Sequence, residues 1–195
     1  MGNISATTAA TVPGGEVSLP DVVLCHTRVI NMKKPSDPDA LVAWEARLGN
    51  KVAHQCFPVI GEIKRAPSRP LRGRKHELQR DRNLFDAVDD LVYYMSVNFN
   101  HDPHAKSVIG IVAAGAWWKW RRIKRSEVPP PSFWDEDEPV SAEENRWRNM
   151  KYKVSTKYLT APVNYLGTKQ SDQEWDKLRR TALAQILKAH ETDYP

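Results

Sequence analysis

The sequence predicts an α/β domain, a mixed central sheet flanked by helices. Three observations predict it. Apolar, β-branched runs at Leu19-Pro20-Asp21-Val22-Val23-Leu24, at residues 57–63 and at residues 107–115 read as strands. A helix-period stripe, Leu84, Phe85, Val88, Leu91, Val92, Met95 and Phe99, separates the second run from the third. A second amphipathic stretch, Trp175, Leu178, Ala182, Leu183, Ile186 and Leu187, lies near the end of the chain.

Taken in order, residues 1–16 are rich in Thr, Ala and Gly and read as a flexible tail. The first strand carries Asp21 near its start, after a proline that a strand tolerates at its first residues or on an edge. Residues 31–55 read as an insertion holding a short helix over 39–48, closed by Gly49. The strand at 57–63 follows, then a loop containing Pro and Gly, then the long helix, whose stripe is expected to pack on the sheet. The run at 107–115 has the composition of a strand buried on both faces, and it completes a core spanning residues 17–123. Residues 124–150 contain Pro129-Pro130-Pro131 and the acids Asp135 to Glu138 and read as an exposed linker. Residues 151–195 form a C-terminal extension whose helix is expected to begin at a box of Ser171 with Glu174.

The chemistry centres on Glu62-Ile63-Lys64. Side chains alternate along a strand, so Glu62 and Lys64 share a face while Ile63 takes the other. Two ionised carboxylates about 4 Å apart repel by about 4 kcal/mol at an effective dielectric of about 20, so Asp21 and Glu62 would need a cation between them. A hard cation such as Mg²⁺, or Mn²⁺ in its place, takes oxygen ligands and keeps several waters. Asp21, Glu62 and the Ile63 carbonyl would supply the protein's share. Lys64 then either orients and helps deprotonate a water or neutralises charge on a phosphate.

The order Pro20-Asp21, Glu62-Ile63-Lys64, helix, strand resembles the PD-(D/E)XK nuclease superfamily, and the wording FPVIGEIKRA is similar to an uncharacterised fungal branch of it. The resemblance implies a restriction-endonuclease-like fold and Mg²⁺-dependent phosphodiester hydrolysis, with DNA the first substrate to expect. By position, Asp21 and Glu62 become metal ligands and Lys64 the catalytic lysine. Gln79 stands where several branches carry a glutamine that supports the lysine. The family's usual N-terminal helix has no counterpart before Asp21, and Glu16 is the nearby candidate for the acid that helix often contributes. Many nucleases of this fold are dimers, so the resemblance implies a homodimer as well.

Basic residues offer a nucleic-acid surface in two places. Arg65, Arg69, Arg72, Arg74 and Lys75 punctuate the loop after the motif, where a cationic segment is placed to clamp a phosphodiester. Trp117, Trp118, Trp120, Arg121 and Arg122 interleave indoles with cations, which suits stacking on exposed bases. The period of this second stretch also fits an outer strand with its indoles inward. The net charge of +5 alone implies only weak nucleic-acid affinity.

Cys25 and Cys56 read as buried free thiols, and His101-Asp102-Pro103-His104 as a turn. No apolar run is long enough to span a membrane and no secretory signal opens the chain, so an intracellular protein, nuclear or cytoplasmic, is expected. Two alternatives to the enzyme stay open: a catalytically inactive nuclease fold that binds nucleic acid or protein, and a truncated gene product.

Overall fold

In a computed structural model, which describes residues 10–11, 17–134 and 142–193, the most apolar segment is the middle strand of the main sheet. Val108, Ile109, Val112 and Ala114 on this strand are all fully buried. Numbered along the chain, the strands are β1 (Ala10–Thr11), β2 (Val17–Ser18), β3 (Val22–Asn31), β4 (Asn50–Lys64), β5 (Ser107–Ala114), β6 (Trp117–Lys124) and β7 (Asn164–Tyr165). The first two pair only with each other, and the rest form a five-stranded sheet in the order β3-β4-β5-β6-β7. Only β4 and β5 run parallel, so the protein is a mixed α/β fold.

Parallel neighbours cannot be joined by a tight turn, and here α2 (Gly73–His101) makes the crossing. Its expected stripe is buried at Leu84, Val88, Leu91, Val92, Met95 and Phe99, and packs on Ile60, Val108 and Val112 of the sheet. Phe85 departs from the expectation and is exposed, because burial of Leu84 and Val88 turns it to the helix flank.

The outer hairpin is longer than expected. Residues 50–55, anticipated within an insertion, are already β4, and they pair with the distal half of β3. What leaves the sheet is the excursion between Asn31 and Asn50, which carries α1 (Pro38–Ala46) behind an Asp37 cap whose carboxylate accepts from the Ala40 amide at 2.8 Å. Gly49, at φ +71°, returns the chain beneath the Trp44 ring. Between the pairs Leu24–Val59 and His26–Cys56 the ladder slips, and β4 uses one residue more than β3. Pro58 lies in that interval and has no N–H to give the ladder, so it is accommodated as a β-bulge. Cys25, expected to be buried, is exposed on this edge strand, while Cys56 is buried.

The C-terminal third supplies the remaining layers. α3 (Ala142–Leu159) starts inside the stretch anticipated as linker, whose acids Asp135 to Glu138 lie outside the described residues. It joins α2 on one face through Val154 and Tyr158. α4 (Lys169–Lys177), a π-helical segment (Leu178–Leu183) and α5 (Ala184–Asp193) cover the other face. Leu178, Ala182 and Ile186 pack there on Val59, Ile109, Ala113 and Trp118. The cap of α4 is Thr168 and not Ser171, since the Thr168 hydroxyl accepts the Ser171 amide at 3.2 Å. The Ser171 hydroxyl instead receives the Trp118 indole N–H at 3.0 Å.

Gly110 faces α2 and α3, and a Cβ there would sit 2.8 Å from Leu91 Cδ2 and collide with the Tyr158 hydroxyl. That hydroxyl is buried without a hydrogen-bond partner among the described residues. Gly110→Ala should therefore lose about 1–3 kcal/mol by overpacking. Tyr158→Phe, which removes an unsatisfied polar group, should gain about 1 kcal/mol. Urea denaturation measures both, and a destabilised Tyr158→Phe would contradict this packing.

Candidate active site

The strand ends determine where the chemistry gathers. Asp21 lies one step before the Val22–Gly61 pair, which sets it across from Glu62 at the C-terminal end of β4. Because β5 runs parallel to β4, both strands finish at this end, the usual place for a functional crevice in an open α/β sheet. Asp21 Oδ2 accepts the Ile63 amide at 2.7 Å, so the carboxylate continues the ladder beyond the last backbone pair. Ile63 thus enters the site through its amide, with its side chain turned to the opposite face and 48% exposed.

Glu62 and Lys64 share a face as the alternation requires, and the Lys64 ammonium donates to Glu62 Oε1 at 2.9 Å. It also donates to Asp90 Oδ2 of α2. Asp90 escaped the sequence reading, although a signal existed. Asn83, Ala87 and Asp90 recur at helical spacing beside the apolar stripe, which marks Asp90 as an acid on the sheet-facing flank.

Two carboxylates, Glu62 and Asp90, therefore share one ammonium, and a third, Asp21, acts on Glu62 electrostatically. Glu62 is 6% exposed. Its burial raises its pKa above the ordinary carboxylate value, and the charges of Asp21 and Asp90 add to that rise against the pull of Lys64. Burial works to lower the Lys64 pKa, but the hydrogen bonds and charges of Asp90 and Glu62 outweigh it and hold the ammonium well above its ordinary value. The second oxygen, Glu62 Oε2, is buried and accepts no hydrogen bond among the described residues. An oriented, unsatisfied carboxylate oxygen beside excess negative charge is a cation-attracting arrangement.

The other anticipated residues fall elsewhere. Gln79 does not reach Lys64, and its side-chain oxygen accepts the Ser68 amide at 2.9 Å. With Asn83, which donates to the Arg65 carbonyl at 2.9 Å, it ties the post-motif loop to α2. Arg74 and Lys75, expected in that loop, are exposed in the first turn of α2. Arg72 donates to the carbonyls of Arg69 and Leu71. Arg65 lines a groove of about 450 Å³ with Gln79, Arg82, Asn83 and Asp86. Glu16 lies outside the described residues.

The indole and arginine strand turns out to be a scaffold. Trp118 stacks on Trp175 at 4.4 Å, and the Trp120 N–H donates to Glu174 at 3.0 Å. Arg121 donates to the Lys157 carbonyl and the buried Lys119 to that of Tyr158, which satisfies the C-terminal end of α3. Arg122 is held by the Ser107 hydroxyl at 2.9 Å and by Gln185 at 2.7 Å. His101 ends α2 and the turn falls at Pro103 and His104, with Asp102 Oδ1 accepting the amides of His104 and Ala105. No described helix is long and apolar enough to cross a membrane.

Comparison of the chain with protein-family models, curated proteins and solved structures finds no match.

The folded state holds the Glu62 proton more tightly than the unfolded chain, where the carboxyl keeps a pKa near 4.5. Ionising Glu62 thus lowers stability, beginning as pH rises past that value and ending once pH exceeds the raised folded pKa. Glu62→Gln should gain stability relative to the wild type across this window, measured by urea denaturation with a chelator present. A difference that does not change with pH would contradict the shift.

Proposed function

We propose that this chain is a metal-dependent nuclease of the PD-(D/E)XK type that hydrolyses phosphodiesters, with DNA as its first substrate to test. One observation carries the reading: Asp21, Glu62 and Lys64 gather at one solvent-reachable strand end, with Glu62 Oε2 buried and without a partner. The succession of antiparallel hairpin, crossover helix and parallel strand supports a restriction-endonuclease-like core.

The donor set is all oxygen, which suits Mg²⁺ or Mn²⁺. Asp21 and Glu62 would hold it, with the Ile63 carbonyl as the third protein ligand. Such a cation, when bound, polarises a phosphate oxygen and makes a bound water more acidic. The raised pKa of Lys64 favours the second of its two anticipated roles, since a lysine protonated at neutral pH donates to a phosphate oxygen. Asp90 is a positioning residue that fixes the ammonium from the helix side. Arg65 and Arg82 in the adjoining groove, with Arg69, Arg72, Arg74 and Lys75 around it, give the phosphate backbone a cationic approach. Arg121 bonds to the Lys157 carbonyl and Arg122 to Ser107 and Gln185, so the reading rests less on these two.

A second reading is a catalytically silent nuclease fold that binds nucleic acid. It is favoured by the way Glu62 and Asp90 already share the Lys64 ammonium.

Purified protein should nick plasmid and degrade single-stranded DNA with Mg²⁺. Glu62→Ala and Lys64→Ala, verified as folded by circular dichroism, should each lose about 100-fold or more of that rate. If the folded wild type cleaves with neither Mg²⁺ nor Mn²⁺, the enzyme reading fails and the binding module replaces it. Reversing the charge of Arg69 and Lys75 should weaken DNA binding at low salt and flatten its salt dependence. Unchanged binding would remove this surface from recognition.

A further inference from the structure

The hairpin that presents Asp21 carries a second cluster with different donor chemistry. His26 on β3 lies directly opposite Cys56 on β4, and His54 lies two positions before Cys56 on β4, opposite Arg28. Cross-strand partners and alternate residues share a face, so all three side chains converge. Their ligand atoms lie within 4.8 Å of one another, with Cys56 Sγ 3.7 Å from His26 Nδ1. The His26 and His54 rings are 6.0 Å apart at an angle of 56°, tilted and not stacked. His54 and Cys56 are buried and His26 is half-buried, so the cluster is enclosed yet reachable at one ring.

Tetrahedral zinc holds imidazole nitrogen at about 2.0–2.1 Å and thiolate sulfur at about 2.3 Å, which makes the N···S edge of the tetrahedron about 3.6 Å. The His26 to Cys56 separation already matches that edge. The remaining ligand separations all lie within 4.8 Å. The donors are nitrogen and sulfur, which select zinc over the hard cations suited to Asp21 and Glu62. Burial pushes the Cys56 thiol up to about 12, with the charges of Asp102 and Cys25 adding to the rise, so the thiolate forms there only with a cation to hold it.

We propose that His26, His54 and Cys56 form a zinc site, with water in the fourth position, that clamps β3 to β4. On binding, the Zn–S bond forms as the Cys56 thiol proton passes to solvent, and no redox change is involved. The clamp spans the ladder just beyond the Pro58 bulge, where register is least secured by backbone pairing. Its effect is to fix the strand whose first turn delivers Asp21 to the Ile63 amide. The site does not depend on the nuclease reading, because its ligands and their chemistry are separate.

Cobalt(II) is the direct probe, since tetrahedral coordination with a thiolate gives intense visible ligand-field bands and a sulfur-to-cobalt charge-transfer band. The full chain, stripped with chelator, should bind one equivalent of Co²⁺ with both features and release it to one equivalent of Zn²⁺. Cys56→Ser should abolish the charge-transfer band while Cys25→Ser and Glu62→Gln keep it. His26→Ala, at the half-exposed ligand and so least disruptive to folding, should weaken Co²⁺ binding by about 100-fold or more. The proposal is overturned if the folded wild type shows no stoichiometric tetrahedral spectrum, if the band survives Cys56→Ser, or if folded His26→Ala binds as the wild type does.

Discussion

The parallel pairing of β4 with β5 is the constraint from which the rest of the molecule follows. Parallel strands must be joined across the full length of the sheet, and α2 is the element long enough to do it. The crossing brings a helix face down on Ile60, Val108 and Val112, and it makes both strands end at the same edge. Glu62 and Lys64 stand at that edge, and Asp90 descends on them from the helix. An antiparallel pair at this point would leave Lys64 with neither a helix above it nor a second strand end beside it.

Charge in this chain is distributed by structural demand more than by its net value. Lys119 and Arg121 satisfy carbonyls where α3 ends, Arg125 holds the carbonyls of Phe99 and Ala105, and Lys157 pairs with Glu127. Lys119, Arg121 and Arg125 sit where backbone oxygens would otherwise be stranded. Exposed basic residues occur along much of the chain, Lys33, Lys51, Lys106 and Lys169 among them, and those around the start of α2 are the ones beside the carboxylate cluster. The +5 balance is therefore a poor guide to binding, while the location of the exposed share is informative.

What could be read from the sequence was whatever depends on local periodicity. The alternation of Glu62 and Lys64, the burial of residues 107–114 and the stripe of α2 all follow from the spacing of neighbours along the chain. Features set by register between distant segments were not legible in that way. Asp90 meets Lys64 only because α2 crosses at one particular height. His26 meets Cys56 only because the Pro58 bulge shifts the ladder by one residue. Residues 50–55 are too polar to signal a strand, and α3 buries only Val154, Ser155 and Tyr158, too thin a stripe to be seen. The tryptophans of β6 matched both readings by period, and two of them, Trp118 and Trp120, have their partners on α4.

β3 is the edge of the sheet, and Val22, Val23, Leu24, Val29 and Ile30 are exposed along it. It is held by its ladder to β4, whereas β4 and β5 are also buried beneath helices. Such a strand opens locally at a lower free energy than the core, so its amides exchange with solvent while those of β5 stay protected. Asp21 belongs to this loosely held segment, and Glu62, Lys64 and Asp90 do not. Without metal at His26, His54 and Cys56, the carboxylate cluster is thus divided between a rigid half and a labile half, and it can be dismantled and reassembled without disturbing the fold that carries it.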